Sequence, residues 1–324
     1  MRTKKELQEI ISSAFHSANF HFQPSSLYDP IKYMIELGGK RLRPSLTLMS
    51  CDMFGGRIEN ALAPAMGLEL FHNFTLLHDD IMDQAPIRRG KETVFKKWNT
   101  NSAILSGDTL FVMAYELVTK TTPALLPQVL ELFNDTARKV CEGQQYDMDY
   151  EFRGDVSIDD YLLMIRLKTA VLISCSLKLG AIIAMAPAEE AGLIYDFGEN
   201  LGLAFQLQDD YLDVFGEVDK FGKEIGNDIV TNKKTYLYLK AFELAGGEKL
   251  ELLTRHYRDR SLPAPEKVAT ITGIYRELGI DVLTRSLIDE YFARALDIMG
   301  RINIPEERKQ LLLELAAQMV NRES

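Results

Sequence analysis

Helical periodicity runs through almost the whole of this 324-residue chain, and it leaves few architectures open. Leu7, Ile10, Ile11 and Phe15 fall on one side of a helix predicted over residues 3–18. Pro24-Ser25-Ser26 starts a second helix, which runs to Leu37 and stops at Gly38-Gly39. Pro44 opens a third, through Met53, ended by Gly55-Gly56. A long apolar helix spans 60–82, and 85–90 breaks the period as a loop. Further helices are predicted over 102–120, 123–150 and 158–185, and another from Pro187 onward. A polar, glycine-bearing loop at 216–226 follows. Helices then resume over 228–244, 249–257, 265–277, 280–299 and 305–321. No run of period-two alternation survives, so strands are essentially absent, and no low-complexity linker divides the chain. The expectation is an all-α fold: one large helical bundle over 1–324, with its site in a central cavity between facing helices.

Two of these helices end in the same unusual way. Leu76-Leu77-His78-Asp79-Asp80-Ile81-Met82-Asp83 and Gln206-Leu207-Gln208-Asp209-Asp210-Tyr211-Leu212-Asp213 are apolar runs that present three carboxylates in the pattern D-D-x-x-D. On a helix Asp79 and Asp83 lie one turn apart on the same face, as do Asp209 and Asp213. Like charges at that spacing cost a bare helix roughly 0.2–0.5 kcal/mol per pair. A chain that does this twice has a cation to hold. Mg²⁺ suits the pattern, because it takes a few carboxylate oxygens, keeps water and shares the oxygens of a substrate phosphate. Zinc does not, since neither cysteines nor H-x-x-x-H accompany the aspartates. The plainer alternative, a solvated helix end, carries even weight for one such cluster and little for two.

Composition narrows the partners. A net charge of −10 argues against nucleic acid, which demands a basic surface. The most apolar stretch, 161–186, is interrupted by Arg166, Lys168 and Lys178 and makes a poor membrane span. The start, Met1-Arg2-Thr3-Lys4-Lys5-Glu6, reads as a charged amphipathic helix with no apolar signal core behind it. Cys51, Cys141 and Cys175, far apart and without C-x-x-C, fit buried thiols in a reducing compartment. A cytoplasmic protein is expected.

Basic residues gather at three places. Gly38-Gly39-Lys40-Arg41-Leu42-Arg43-Pro44 brings three cations to a glycine break before a helix N-terminus, where backbone N–H groups, dipole and guanidinium forks favour an anion. Arg88-Arg89-Gly90-Lys91 follows the first acid cluster, and Lys223 with Lys233-Lys234 follows the second. One such patch alone reads as surface solubility. Three beside two acid clusters point to a ligand with more than one polyanionic group. His72 and His78 sit six apart and do not share a face; His72 is close enough to Asp79 to help hold a phosphate. Glu142-Gly143-Gln144-Gln145-Tyr146-Asp147 and Arg166-Leu167-Lys168-Thr169 place polar groups inside apolar helices, where they need partners.

In order along the chain, these elements resemble the trans-isoprenyl diphosphate synthases, the polyprenyl synthetase family: G-G-K-R-x-R-P at 38–44, L-x-H-D-D-x-x-D at 76–83, R-R-G at 88–90, G-Q-x-x-D at 143–147, K-T at 168–169 and Q-x-x-D-D-x-x-D at 206–213. The family's later G-K matches Gly222-Lys223. Its G-K-[ST]-T-Y is similar to Asn232-Lys233-Lys234-Thr235-Tyr236, with Asn for Gly and Lys for the small hydroxyl residue. The resemblance implies head-to-tail condensation of isopentenyl diphosphate with an allylic diphosphate (dimethylallyl, geranyl or farnesyl), and a homodimer. It implies that Asp79, Asp83 and Asp209 carry Mg²⁺, with Asp80, Asp210 and Asp213 completing the two catalytic clusters. Arg88, Lys168, Lys223 and Lys233 would stabilise the leaving diphosphate. Lys40, Arg43, His72 and Arg89 would hold isopentenyl diphosphate, and Thr169 and Gln206 would line the carbocation region. The chemistry agrees, because departure of diphosphate separates charge, which metals and cations stabilise while apolar helices exclude water.

In the family so resembled, the growing tail runs beside the first aspartate helix. Phe74, the fifth residue before Asp79, would lie roughly 7–8 Å below the metal end at ~1.5 Å per residue. With Phe71 and Thr75 it would set product length. One aromatic at this place without an insertion in the aspartate motif resembles the geranylgeranyl type, ahead of the farnesyl type. Two other readings are weighed. A class I terpene cyclase would not need the Gly39-Lys40-Arg41 anion site and usually lacks a second D-D-x-x-D. A non-catalytic regulatory subunit typically lacks an acid cluster.

Overall fold

The protein is described by a computed structural model covering residues 2–216, 226–259 and 261–321. Helices dominate. α1 (Lys4–Ser17), α2 (Ser25–Glu36), α3 (Leu42–Met53) and α4 (Ile58–Met82) come first. A hairpin, β1 (Ile87–Arg88) with β2 (Lys91–Glu92), leads to α5 (Val94–Lys97), α6 (Thr100–Val118), α7 (Leu126–Phe152) and α8 (Ile158–Ile165). A π-helical turn, Arg166–Ala170, joins α8 to α9 (Val171–Ile183), and α10 (Ala188–Phe215) carries the second acid cluster. The rest is α11 (Asn227–Val230), α12 (Tyr236–Leu244), α13 (Gly247–Arg258), α14 (Ala264–Glu277), α15 (Ile280–Arg301) and α16 (Glu306–Val320).

Four expectations need correction. The break at 85–90 is not simply a loop: Ile87 pairs with Glu92 and Arg88 with Lys91. Arg89 and Gly90 between them both have positive φ (53° and 75°), the geometry of a two-residue hairpin turn. The helix over 158–185 opens into the π turn at 166–170. The helix over 228–244 is broken between α11 and α12, where Asn232 adopts a left-handed φ of 62° that no helix can continue through. Cys141 is exposed, whereas Cys51 and Cys175 are buried as expected. The loop predicted at 216–226 has residues 217–225 outside the described residues, and Gly222 and Lys223 lie there.

The chain groups into two compact units. One comprises Met1–Asp135, Cys175–Ile194 and Asn303–Leu312; the other comprises Thr136–Ser174, Tyr195–Ile302 and Leu313–Ser324. In the first, α1 begins with a capping box in which Thr3 and Glu6 satisfy each other's backbone N–H groups. α4 is apolar around its whole circumference, and such a helix must be covered by neighbours. α3 and α6 pack on it, burying Leu68, Leu70, Phe71 and Leu77. Each fully buried side chain of this size contributes about 1.5–3 kcal/mol. In the second unit Val214, Ile229, Leu237, Leu253, Ile271 and Tyr275 form the core of helices α10 to α14. There a Ser157–Asp160 capping box starts α8 and fixes the register of Tyr161.

Candidate active site

The first acid cluster closes α4. Asp83 is its C-cap residue, and the Asp83 N–H donates to the Asp79 carbonyl. Helical rotation of ~100° per residue sends Asp80 away from the face that Asp79 and Asp83 share. Asp80 is accordingly 1 % exposed, and its Oδ1 accepts from Arg88 Nε at 2.7 Å. Burial pushes its carboxyl up to about 6, against the pull of Arg88. The same guanidinium reaches Asp79 Oδ2 at 3.5 Å. The hairpin is therefore what aims Arg88 back at the acids.

Its other arginine points elsewhere. Arg89 lies on Gly39, where φ is 138° and a Cβ would stand 2.8 Å from the guanidinium, so only glycine fits. Around this contact the cations converge. Arg41, left-handed at φ 45° as α3 begins, donates from Nη1 to Glu69 Oε1 at 3.2 Å and from Nη2 to the Ile35 carbonyl at 2.7 Å. Burial pulls Arg43 down to about 10, still charged at neutral pH, with Glu69 opposing and Arg89 assisting. Its Nε is buried without a hydrogen-bond partner, a donor suited to an anion. Burial, then the charges of Arg43, Arg89, Arg88 and Arg41, hold His72 well below the usual histidine range and so neutral. Glu69, 2 % exposed, is the counter-charge of this cradle. Lys40 is exposed.

Between the acids and the middle of α4 lies an aromatic stack. Phe74 stacks on Phe111 of α6 with centroids 5.0 Å apart and 15° between planes. Phe71 meets Phe74, Phe111 and Phe133 at 5.4–5.6 Å, and Tyr115 meets Phe133 at 4.8 Å. Thr75 donates its hydroxyl to the His72 carbonyl on its own helix.

The second cluster, in the other unit, repeats the division of labour. Asp209 and Asp213 are partly exposed, and Asp210 is buried. Asp210 Oδ2 accepts from the Tyr161 hydroxyl at 2.5 Å and its Oδ1 from Gln206 Nε2 at 2.8 Å. Burial pushes it up to about 7 despite those donors. Gln206 Oε1 in turn accepts from Thr169 Oγ1 at 3.0 Å, so Thr169 and Gln206 are joined. The π turn aims Lys168 at Asp147, with Nζ to Oδ2 at 2.6 Å; Lys233 Nζ is 3.9 Å from the same oxygen. α7 passes this turn so closely that a Cβ on Gly143 would fall 2.7 Å from the Leu167 carbonyl carbon. Asp213 Oδ2 accepts from the Asp228 N–H at 2.9 Å, and burial pushes Asp228 well up.

The donor set fits a hard divalent cation, because each cluster leaves its outer carboxylates at least partly exposed and only its middle one buried. Among the described residues no three acidic, histidine or cysteine side chains converge into a closed cage. An ion held there would complete its shell with water or ligand oxygens, as hard divalent cations accept. Glu69, Phe111, Tyr161 and Asp228 escaped the sequence reading. Their partners lie on other elements, and no spacing rule reaches them. No helix of the described residues is long and apolar enough to cross a membrane.

The sequence profile of the polyprenyl synthetases matches residues 24–277. A geranylgeranyl diphosphate synthase of Methanosarcina mazei is 36 % identical over 93 % of this chain and 91 % of its own. A geranylfarnesyl diphosphate synthase of Natronomonas pharaonis is 32 % identical over 98 % and 96 %. The crystal structure of a geranylgeranyl pyrophosphate synthase, 46 % identical, superposes over all of both chains with a TM-score of 0.95. A polyprenyl synthase of Caulobacter crescentus, solved with calcium and isoprenyl diphosphate, superposes at 0.87 with 28 % identity over 99 % and 94 %.

Proposed function

The chain belongs to the polyprenyl synthetase family, and from that premise we propose that it condenses isopentenyl diphosphate head-to-tail with allylic diphosphates, using Mg²⁺, to give chiefly geranylgeranyl diphosphate. The observation that carries this reading is the unbroken run from acids to cations. Arg88 bonds Asp80, its neighbour Arg89 lies on Gly39, and Arg43 and the neutral His72 stand behind it. A diphosphate-carrying metal and a second diphosphate each find a matched surface there.

Asp79 and Asp83, and Asp209 with Asp213, would hold Mg²⁺. When bound, the ion supplies positive charge at the oxygens of the allylic diphosphate. The allylic C1–O bond breaks and its electron pair leaves with the diphosphate. Arg88, Lys168 and Lys233, with Lys223 outside the described residues, offset that charge. Asp147 holds Lys168 and Lys233 in place until then. Arg43, Arg89 and Lys40 fix isopentenyl diphosphate, and His72, being neutral, donates one N–H. The isopentenyl double bond attacks C1, and a proton passes from the adjacent carbon to the departed diphosphate. Phe74, backed by Phe111 and Phe71, would stop the tail. One ring at that place favours the C20 product over farnesyl diphosphate. The arginine cradle disfavours a cyclase, and two complete acid clusters disfavour a regulatory subunit. We assign a homodimer on family likeness.

Purified protein given Mg²⁺, isopentenyl diphosphate and each allylic diphosphate in turn separates these readings by chromatography. A longer prenyl diphosphate is expected. A hydrocarbon would indicate the cyclase, and no product the regulatory subunit.

A further inference from the structure

The segment carrying Lys233 departs twice from the family pattern, and both departures are engaged. Lys234 stands where a small hydroxyl residue is usual. Its ammonium donates to the backbone carbonyls of Tyr150 at 2.5 Å, of Glu151 at 3.4 Å and of Arg153. The first two carbonyls lie in the last turn of α7 and the third just beyond it, where the last acceptors have no helical partner and the dipole is negative. Three N–H donors on one ammonium meet three acceptors. A serine or threonine side chain ends three bonds sooner.

On the other flank Asn232 replaces glycine. It keeps the left-handed φ of 62° that asparagine tolerates. Its Nδ2 donates to the Tyr257 carbonyl at 3.2 Å, and its Oδ1 accepts from Lys267, itself 6 % exposed. Between the two anchors the Lys233 N–H donates to the Asp228 carbonyl at 2.8 Å. Asp147, which faces Lys233 and Lys168, lies on the same helix, three residues before Tyr150.

We propose that Lys234 is a positioning residue. By fastening its segment to the end of α7, it fixes the distance between Lys233 and the Asp147–Lys168 pair. This rests on the role given above to Lys233 at the allylic diphosphate.

The test is a double-mutant cycle on steady-state kinetics, with Lys234→Met and Lys233→Ala. Lys234→Met should lower kcat about 10- to 100-fold, as a misplacement near 1 Å does. It should raise KM for the allylic diphosphate and leave KM for isopentenyl diphosphate unchanged. In the Lys233→Ala background the same change should cost less than twofold. Full multiplicative loss in both backgrounds, equal shifts of the two KM values, or unchanged kinetics would each overturn the proposal. Should Lys234→Met fail to fold by circular dichroism, Lys234→Ser is read by the same criteria. A wild-type protein that transfers no prenyl group would instead overturn the reading of function, and the role of Lys234 with it.

Discussion

Asp80 and Asp210 do a different job from the aspartates beside them. Each is buried and hydrogen-bonded within its own unit, while its neighbours keep the shared face of the helix. That split is implicit in the rotation of a helix, which puts the second letter of D-D-x-x-D off the face of the first and last. What the sequence could not disclose is the partner that receives Asp210: Tyr161 lies 49 residues away. Tyr161→Phe should therefore cost about 1–3 kcal/mol in urea unfolding, since it leaves a buried carboxyl short of a donor. Asp209→Ala, at a partly exposed position, should cost less than Tyr161→Phe; equal losses would contradict the division. His72 gives a pH test. Its folded value is depressed below ~6.5, so below that pH the unfolded chain binds the extra proton and stability falls as the solution is acidified. The groups facing it, Arg41, Arg43, Arg88 and Arg89, are cations, and all oppose its protonation. Metal-free wild type should lose up to about 1.4 kcal/mol per pH unit from pH 6 to pH 5 relative to His72→Gln. Parallel curves for the two proteins would contradict a neutral His72.

At the scale of elements, α4 is the busiest. Its C-terminal turn carries the acids, and one to two turns earlier Phe74 rests flat on Phe111. The long helices, their order and their approximate ends were legible because the apolar period of 3.6 is sustained over many turns. Short irregularities were not. The hairpin, the π turn and the break at Asn232 each depend on a few backbone angles that no period registers. Yet these three features aim Arg88, Lys168 and Lys233, so the least legible elements position the proposed cations. On the proposed function, Phe74→Ala should lengthen the main product by one or more isoprene units. Phe111→Ala should shift the distribution the same way, because it removes the ring behind Phe74. An unchanged chromatographic profile in both variants would contradict a floor at this place.

For the whole molecule, the family match spans 24–277 and covers residues of both units, each of which contributes one D-D-x-x-D cluster. Order along the chain made the family recognisable: six motifs, each weak alone, in one sequence of positions. It did not reveal how the contacts divide into two units, since no linker or change of composition marks the division. A homodimer predicts twice the monomer mass by light scattering, and a monomer mass would contradict it. Chelation of divalent ions should abolish activity, and Mg²⁺ should restore it. The most direct test of the account is the initial rate of labelled isopentenyl diphosphate incorporation with farnesyl diphosphate across a Mg²⁺ titration, for wild type, Asp79→Asn and Asp209→Asn. Wild type should form a labelled C20 diphosphate, and each substitution should lower its rate about 100- to 1,000-fold, the scale of losing one charge-stabilising group at the reacting centre. Wild-type rates in either variant would contradict the claim that both clusters carry the reaction.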